Sequence, residues 1–401
     1  MKKIVGTIAA IALATSAAFA EVGIGSWGRA IWAPVQGVTN DNNEMKLQSW
    51  EGVSWGSPTS RVGISVHGGS ENVGFNLDLN ADGFANAGIG DLACFWAKPW
   101  DFLEVKVGKT QDDTGRGNVA YGIFNWIRFG GVTNVTKVGE DVTFTRFGNG
   151  GGGQAKGAIV KVTPVEGLWA IAAFDVQDNA DAGLTYGQHS QYGLGYNIAN
   201  IGHIRAQYIC GENAWEYGND AKYVSKGKIN AAFDLTAVEG LNLTVGAYVP
   251  MAMKVDGERV KIAAGADFAI SAVTLHALFV CNLPQTLTNS QTTMGVTVST
   301  TKVNNFDAQF GVGADFDFGN GIGLTADVRF STETSNTVTG SAAGVSATTT
   351  TKTADSELVF LVGLTKSLSN GMIGIGFEGD AVLANTPKFN WYVPVVISAW
   401  F

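Results

Sequence analysis

From Asn305 to Phe318 the chain alternates without a break. Phe306, Ala308, Phe310, Val312, Ala314, Phe316 and Phe318 hold one set of places, and Asp307, Gln309, Gly311, Gly313, Asp315 and Asp317 hold the other. A helix, at 3.6 residues per turn, scatters those aspartates around its girth, whereas a strand gathers them on one face. Ile322 to Ser331 repeats the scheme, with Ile322, Leu324, Ala326, Val328 and Phe330 set against Gly323, Thr325, Asp327, Arg329 and Ser331. Gly319-Asn320-Gly321 between the two segments tolerates positive φ, as a tight turn requires. The two segments read as a hairpin, apolar on one side and charged on the other.

The rhythm recurs along the chain. Strands are expected at Val22–Ala33, Arg61–Gly68, Val73–Asn80, Gly88–Ala97, Phe102–Gly108, Lys156–Thr163, Leu168–Gln177, Gln191–Ile198 and His203–Cys210. Others are expected at Lys226–Thr236, Leu241–Val249, Arg259–Phe268, Val273–Cys281, Asn305–Phe318, Ile322–Ser331, Glu357–Thr365, Met372–Asp380 and Trp391–Phe401. That makes about 18, an even number, as both ends of a single-chain bacterial barrel on one side of the membrane require. Sixteen is an alternative, and Val119–Phe129 with Asp141–Phe147 could raise the count to about 20. Short junctions alternate with longer polar connections at Gly37–Ser57, Asn179–Gln188, Gly211–Ser225, Asn282–Asn304 and Thr332–Asp355. In outer-membrane barrels the short turns face the periplasm and the long loops face outward. One hexapeptide, Thr163 to Leu168, is echoed by Thr236 to Leu241, both at hairpin turns, by duplication or by convergence on one good turn.

Composition narrows the medium. The chain has 53 Gly, 8 Pro and 15% charged residues, and no run suits a membrane-spanning helix. Only helices and closed barrels satisfy every backbone group in lipid. Met1-Lys2-Lys3, the apolar run Ile4 to Leu13 and Ala18-Phe19-Ala20 read as a cleaved export signal over residues 1–20, leaving one barrel domain over 21–401. Without Lys2 and Lys3 the basic residues number 24 against 35 acidic ones, a formal net of −11. Such a surface is a poor partner for nucleic acid. Three widely spaced cysteines, Cys94, Cys210 and Cys281, indicate no disulfide framework.

The last strand, Trp391-Tyr392-Val393-Pro394-Val395-Val396-Ile397-Ser398-Ala399-Trp400-Phe401, ends on Phe with Val393, Val395 and Ile397 at alternate places. It resembles the C-terminal assembly signal of outer-membrane proteins. With the opening strand, the whole chain resembles a bacterial porin of the general or sugar-type class. It departs from the usual pattern at Ala399, where an aromatic is common, and at Pro394, which removes a ladder donor. The resemblance implies a multi-pass barrel in the outer membrane of a Gram-negative-type envelope, contact with lipid, engagement of the outer-membrane assembly machinery through the last strand, and association into a homo-trimer. It also implies that the third outer loop, here Thr110–Ala155, folds into the pore. Asp112, Asp113, Arg116, Arg128, Lys137, Glu140, Asp141 and Arg146 would then bring both signs of charge to a constriction. A plain outer loop or an added hairpin is the alternative.

The polar parity of the strands carries Arg29, Arg61, Asp78, Glu104, Lys106, Lys161, Asp175, His203, Arg205, Lys228, Asp234, Arg259, Lys261, Asp267, Asp307, Asp315, Asp317, Asp327, Arg329, Glu378 and Asp380. A lipid-facing Arg or Lys at midplane costs about 2–4 kcal/mol, so these side chains are expected to line the lumen. His203 with Arg205, and Arg259 with Lys261, read as basic rungs, and Asp307, Asp315 and Asp317 as an acidic one, which together would set a transverse field across the pore. Trp27, Trp32, Trp96, Trp100, Trp169, Trp391 and Trp400 are expected to form an interfacial girdle. No metal or cofactor is expected: the four His lack ligand spacing, and Asp315-x-Asp317-x-Gly319-Asn320 lacks the later Glu of a calcium loop. No nucleophile, His and acid cluster at one rim, so an enzyme is not expected. The reading is passive diffusion of small hydrophilic solutes and ions. A sugar-selective porin is the close variant, and a surface adhesin or major surface antigen is the rival.

Overall fold

The computed structural model describes residues 21–40, 42, 44–52, 60–82, 86–115, 147–148, 157–175, 190–210, 227–251, 256–293 and 296–401. The expected export signal at 1–20 lies outside the described residues. So do Arg116, Arg128, Lys137, Glu140, Asp141 and Arg146.

The described chain is all β. Its strands are β1 (Glu21–Thr39), β2 (Met45–Gly52), β3 (Arg61–Gly69), β4 (Val73–Asp82), β5 (Asn86–Trp100), β6 (Leu103–Lys109), β7 (Gln111–Asp112), β8 (Phe147–Gly148) and β9 (Gly157–Val165). There follow β10 (Leu168–Asp175), β11 (Ser190–Ile198), β12 (Gly202–Ile209), β13 (Lys228–Leu235), β14 (Leu241–Pro250), β15 (Lys261–Ile270), β16 (Val273–Asn282), β17 (Gln285–Thr293) and β18 (Val296–Asn304). The remainder are β19 (Asp307–Asp317), β20 (Ile322–Ser331), β21 (Thr334–Ala342), β22 (Val345–Ala354), β23 (Glu357–Leu368), β24 (Gly371–Val382), β25 (Lys388–Tyr392) and β26 (Val395–Trp400).

Twenty of these elements form one sheet, which closes on itself as an 18-stranded antiparallel barrel because two wall positions are each split in two. Along β1, the half from Glu21 to Arg29 pairs with β3 and the half from Ile31 to Thr39 with β2. Similarly, β25 and β26 share one position between β24 and β1. The break in that last strand falls at Val393-Pro394, opposite the irregular stretch of β1 that contains Pro34. Neither proline carries an N–H, so the seam bulges there and closes on either side. At the other end of the seam, Ser26 and Phe401 exchange both backbone hydrogen bonds, at 2.9 and 2.7 Å.

The expected strand count of about 18 holds. No added hairpin enters the wall after β6, since β6 pairs directly with β9. The repeated hexapeptide also has a local explanation. Gly167 (φ 79°) and Gly240 (φ 75°) each accept an N–H from the neighbouring turn at 2.8 Å, from Asn197 and Ala269. A Cβ on either glycine would lie within 2.7 Å of that neighbour's carbonyl oxygen.

Three connections differ from expectation. Gly37–Ser57 is partly strand: β1 runs on to Thr39 and turns at Asn40, whose side-chain oxygen accepts the N–H groups of Asn42 and Glu44. Asn282–Asn304 and Thr332–Asp355 are hairpins, β17–β18 and β21–β22, joined by β18–β21 into a four-stranded sheet. Their polarity suggested loops, but Thr is β-branched and favours strands, and its hydroxyls bond across them. Thr337–Thr350 and Thr339–Thr348 both approach to 3.0 Å.

Residues opposite one another in register share a face, so the inside and outside of the wall can be followed from strand to strand. One ring runs Ile204, Phe233, Val245, Ala264, Phe279, Phe310, Phe330, Leu358. The ring one residue away runs His203, Asp234, Thr244, Gly265, Leu278, Gly311, Arg329, Val359, Asp380. Exposure of large apolar side chains marks the first as outward: Ile204 is 51% and Phe310 46% exposed, while Asp234 is 1%. A closed barrel with an apolar exterior and a polar interior is the architecture of a multi-pass outer-membrane β-barrel.

Candidate pore lining

Every charged wall residue expected inside whose strand register is described falls on the lumenal parity. The charges are joined laterally, strand to neighbouring strand. Arg205 on β12 contacts Asp234 on β13, and both are about 1% exposed. His203 Nδ1 lies 3.6 Å from the same carboxylate. The Trp169 indole N–H donates to His203 Nε2 at 3.0 Å, which requires that nitrogen to be unprotonated and assigns any ring proton to Nδ1, toward Asp234. Thr244 on β14 donates to the other Asp234 oxygen.

The next quarter of the wall holds His276 on β16 between two carboxylates. Its Nδ1 lies 2.7 Å from Asp267 on β15, and its Nε2 lies 3.0 Å from Asp315 on β19. Thr325 on β20 donates to Asp315 at 2.8 Å. Arg259 contacts Asp307 and donates to the Asn305 carbonyl at 2.7 Å, while Asn282 donates to the other Asp307 oxygen at 2.6 Å. Arg329 and Asp327, two apart on β20, approach to 3.7 Å. The ammonium groups of Lys228 and Lys261 flank the Tyr248 ring, at 5.6 and 5.0 Å from its centroid.

These contacts replace the expected opposed rungs. The basic pairs do not face the acidic set across the lumen, because Arg259 is joined to Asp307 and Arg205 to Asp234 along the wall. Nor do Asp307, Asp315 and Asp317 make one rung. They lie on a single strand whose ends are about 33 Å apart at 3.3 Å per residue, so they form a column along the pore. Asp317, at the short-turn end of β19, accepts the Gly319 N–H at 2.8 Å and, with Asp315, Thr274 and Thr365, lines a recess of about 370 Å³. Arg29 and Arg61 sit opposite each other on β1 and β3, and Asp78 sits opposite Ser65 beside a bulge in the neighbouring β5.

Both described ends of the long connection after β6 lie inside the barrel. Asp112 on β7 contacts Lys106 at 3.1 Å and Lys161 at 3.9 Å, and Lys106 also reaches Glu104 at 3.2 Å. Thr114 donates its backbone N–H to Asp112 at 2.8 Å. Asp113 follows at the surface of this segment. Gln111–Asp112 pairs with Phe147–Gly148, and Phe147 packs on Ile159, Trp169, Ile171 and Ala173.

The tryptophans divide between the faces instead of forming one girdle. Trp32 and Trp391 are outward, but Trp27, Trp96, Trp169 and Trp400 are on the lumenal parity. Three of them lie over a cross-strand glycine: a Cβ on Gly63, Gly74 or Gly195 would come within 2.6 Å of Trp27, Trp96 or Trp169. Gly opposite Trp was the signal available for this placement, since the ring fills the space a side chain would need. Sequence reasoning also missed a lumenal apolar patch in which Ile31 and Val396 pack with Leu361 and Met372. In the C-terminal segment Val395 and Ile397 are outward, paired with Trp32 and Ala30, and Phe401 is 75% exposed. Val393 donates its N–H to the Val35 carbonyl across the seam at 3.1 Å.

Among the described residues no three His, Cys, Asp or Glu side chains converge as a metal site. Several solved structures align with the chain. A mutant porin of Rh. blastica covers 95% of this chain and 100% of its own at 12% identity, with a TM-score of 0.48. An anion-selective porin from Comamonas acidovorans covers 95% and 100% at 11% identity, TM-score 0.46. OmpT, an outer membrane protein of Vibrio cholerae in a trimer form, covers 95% and 99% at 9% identity, TM-score 0.44. No family model and no curated protein matches the chain.

Proposed function

We propose that the protein is an outer-membrane porin that passes small hydrophilic solutes and ions by passive diffusion. The observation that carries this reading is the segregation of the 18-stranded wall into an apolar outer parity and a charged inner one. Barrels of about 16–18 strands are too wide for side chains to fill and leave an aqueous channel. The lumenal charges spend themselves on one another, in lateral pairs and shared hydrogen bonds, which suits a fixed polar lining better than a reaction centre. The segment from Thr110 supports a constriction, because Asp112 and Phe147 seat its two described ends on the inner wall.

Lumenal Trp27 and Trp96 favour one variant, a sugar-selective pore, since aromatic faces inside a channel can stack on the apolar faces of sugar rings. The purified barrel in a planar bilayer is expected to give discrete, ohmic conductance steps, and proteoliposomes to swell in small sugars. A sugar-selective pore would add saturable block of the ion current by the preferred sugar. A barrel that inserts and does not conduct would overturn the porin reading.

A further inference from the structure

Beyond the rim, β16, β19, β20 and β23 continue almost directly as β17, β18, β21 and β22, and these four pair in the order β17-β18-β21-β22. The sheet has two edges of different character. At the β17 edge the base is braced: Gln285 accepts the Gly257 N–H at 3.1 Å and donates to the Glu258 carbonyl at 2.9 Å. Asn304 of the adjoining strand donates to Asp256 at 2.9 Å. On the β22 side no strand or loop lies alongside among the described residues, and all ten residues from Val345 to Ala354 are exposed.

Natural edge strands are usually short, bulged, or studded with Lys and Pro, because a bare edge is a template for another strand. β22 has ten residues, no proline and one charge, Lys352, which is held by Asp355. Its sequence, Val345-Ser-Ala-Thr-Thr-Thr-Thr-Lys-Thr-Ala354, is complementary to itself. Run antiparallel about Thr349, it sets Thr349 opposite its own copy, Thr348 opposite Thr350, Ala347 opposite Thr351 and Ser346 opposite Lys352. No like charges meet, and at the centre hydroxyl faces hydroxyl. The sheet already uses this chemistry internally, in Thr288–Thr301 at 3.2 Å, Thr292–Thr297 at 3.0 Å and Thr334–Thr353 at 2.8 Å.

We infer that β22 is a homotypic docking edge, which pairs antiparallel with β22 of a second copy of this chain. The inference rests on the outer-membrane reading for the side on which the sheet stands. An antiparallel pair is related by a two-fold axis perpendicular to its strands, so the two barrels lie at opposite ends of the joined sheet. The contact therefore links copies in two facing membranes instead of neighbours in one. A single strand pair buries less than the roughly 1,200 Å² of a stable interface, so one contact is weak and many between two membranes act together.

Full-length protein in liposomes tests this. Two batches carry Ala347→Cys and Thr351→Cys, with the native cysteines buried. In the inferred register these positions face each other with Cβ atoms about 4.5–5.5 Å apart, while each position and its own copy lie four residues out of register, about 13 Å apart along the strands. The expected results are vesicle clustering by light scattering, and a disulfide dimer in mixed vesicles that is lost when either batch is used alone. Thr348→Lys with Thr350→Lys is expected to abolish clustering while bilayer conductance stays unchanged, which also certifies that the variant has folded. Conducting protein that never clusters vesicles overturns the inference and leaves the porin reading intact. Clustering that survives the lysines, or cross-linking equal in single and mixed batches, overturns it as well. Clustering without conductance supports the inference and sinks the pore.

Discussion

Phe147 stands edge-on to Trp169 inside the barrel, with ring centroids 5.8 Å apart and planes at 77°. Phe147 belongs to the long connection after β6 and Trp169 to the wall, so this contact fastens the one to the other. An edge-to-face pair contributes about 0.5–1.5 kcal/mol beyond burial, and truncating a buried Phe to Ala costs about 3–5 kcal/mol. Phe147→Ala is expected to release the connection from the wall and to change single-channel conductance. Gly193→Leu should do the same from the other side, since a Cβ there would lie 2.1 Å from the Phe147 ring. Bilayer recordings of both variants provide the check, and wild-type conductance in both would mean that this segment does not narrow the pore.

Asp234 answers a buried guanidinium. Removing one partner of a buried ion pair costs about 3–5 kcal/mol, because the remaining charge keeps its desolvation penalty. Asp234→Ala should therefore lower the urea midpoint of the barrel by more than the double variant Arg205→Leu with Asp234→Leu, which removes both charges. Reversal potentials in asymmetric salt are expected to move toward anions in the single variant only. Equal destabilisation by the single and double variants would show that the pair is not energetically coupled.

The assignment of faces can be tested on one strand. Val312 is outward and 62% exposed, and Gln309, three residues before it on β19, is on the lumenal parity. Val312→Lys should cost about 2–4 kcal/mol if it lies near midplane, and Gln309→Lys far less, with a shift in ion selectivity instead. Unfolding from lipid vesicles measures the first and reversal potential the second. If the two costs came out reversed, the wall would be inside out.

The base of the outer sheet should loosen in acid. Hydrogen bonds from Asn304 and then Lys302 hold the Asp256 carboxyl below its ordinary value of 3.8. A depressed folded value means that the contribution is present in full above the unfolded value and is lost as pH falls through the folded one. Pepsin cleavage within 285–304 is therefore expected to accelerate below about pH 4 and to change little above it. Asp256→Asn should remove that pH dependence, and an Asn variant with the wild-type profile would assign it to another group.

The period-two pattern is a local property, written into each strand by which side chains meet lipid and which meet water. It was enough to expect about 18 wall positions and which residues share a face of each strand. Pro394 was legible too, as a missing donor, although only its position beside the Pro34 stretch shows how the seam absorbs it. The Thr-rich connections were misread because polarity was taken for irregularity, when β-branching and cross-strand hydroxyls were the stronger terms.

What the tertiary structure alone decided is which charges neutralise which. Asp307, Asp315 and Asp317 are equivalent in the alternation, yet one meets Arg259, one His276 and one the backbone of a turn. Partners depend on the register between strands far apart in sequence, and period two is blind to register. The same holds for Trp169: its parity was readable, but its place inside depends on Gly195 across the strand and Phe147 from a distant segment. The sequence by itself determined a wall with a wet side and a greasy side, because each residue's own chemistry selects its medium. Strand pairing decided the electrostatics of the lumen, because a charge in a wall is defined by its neighbours.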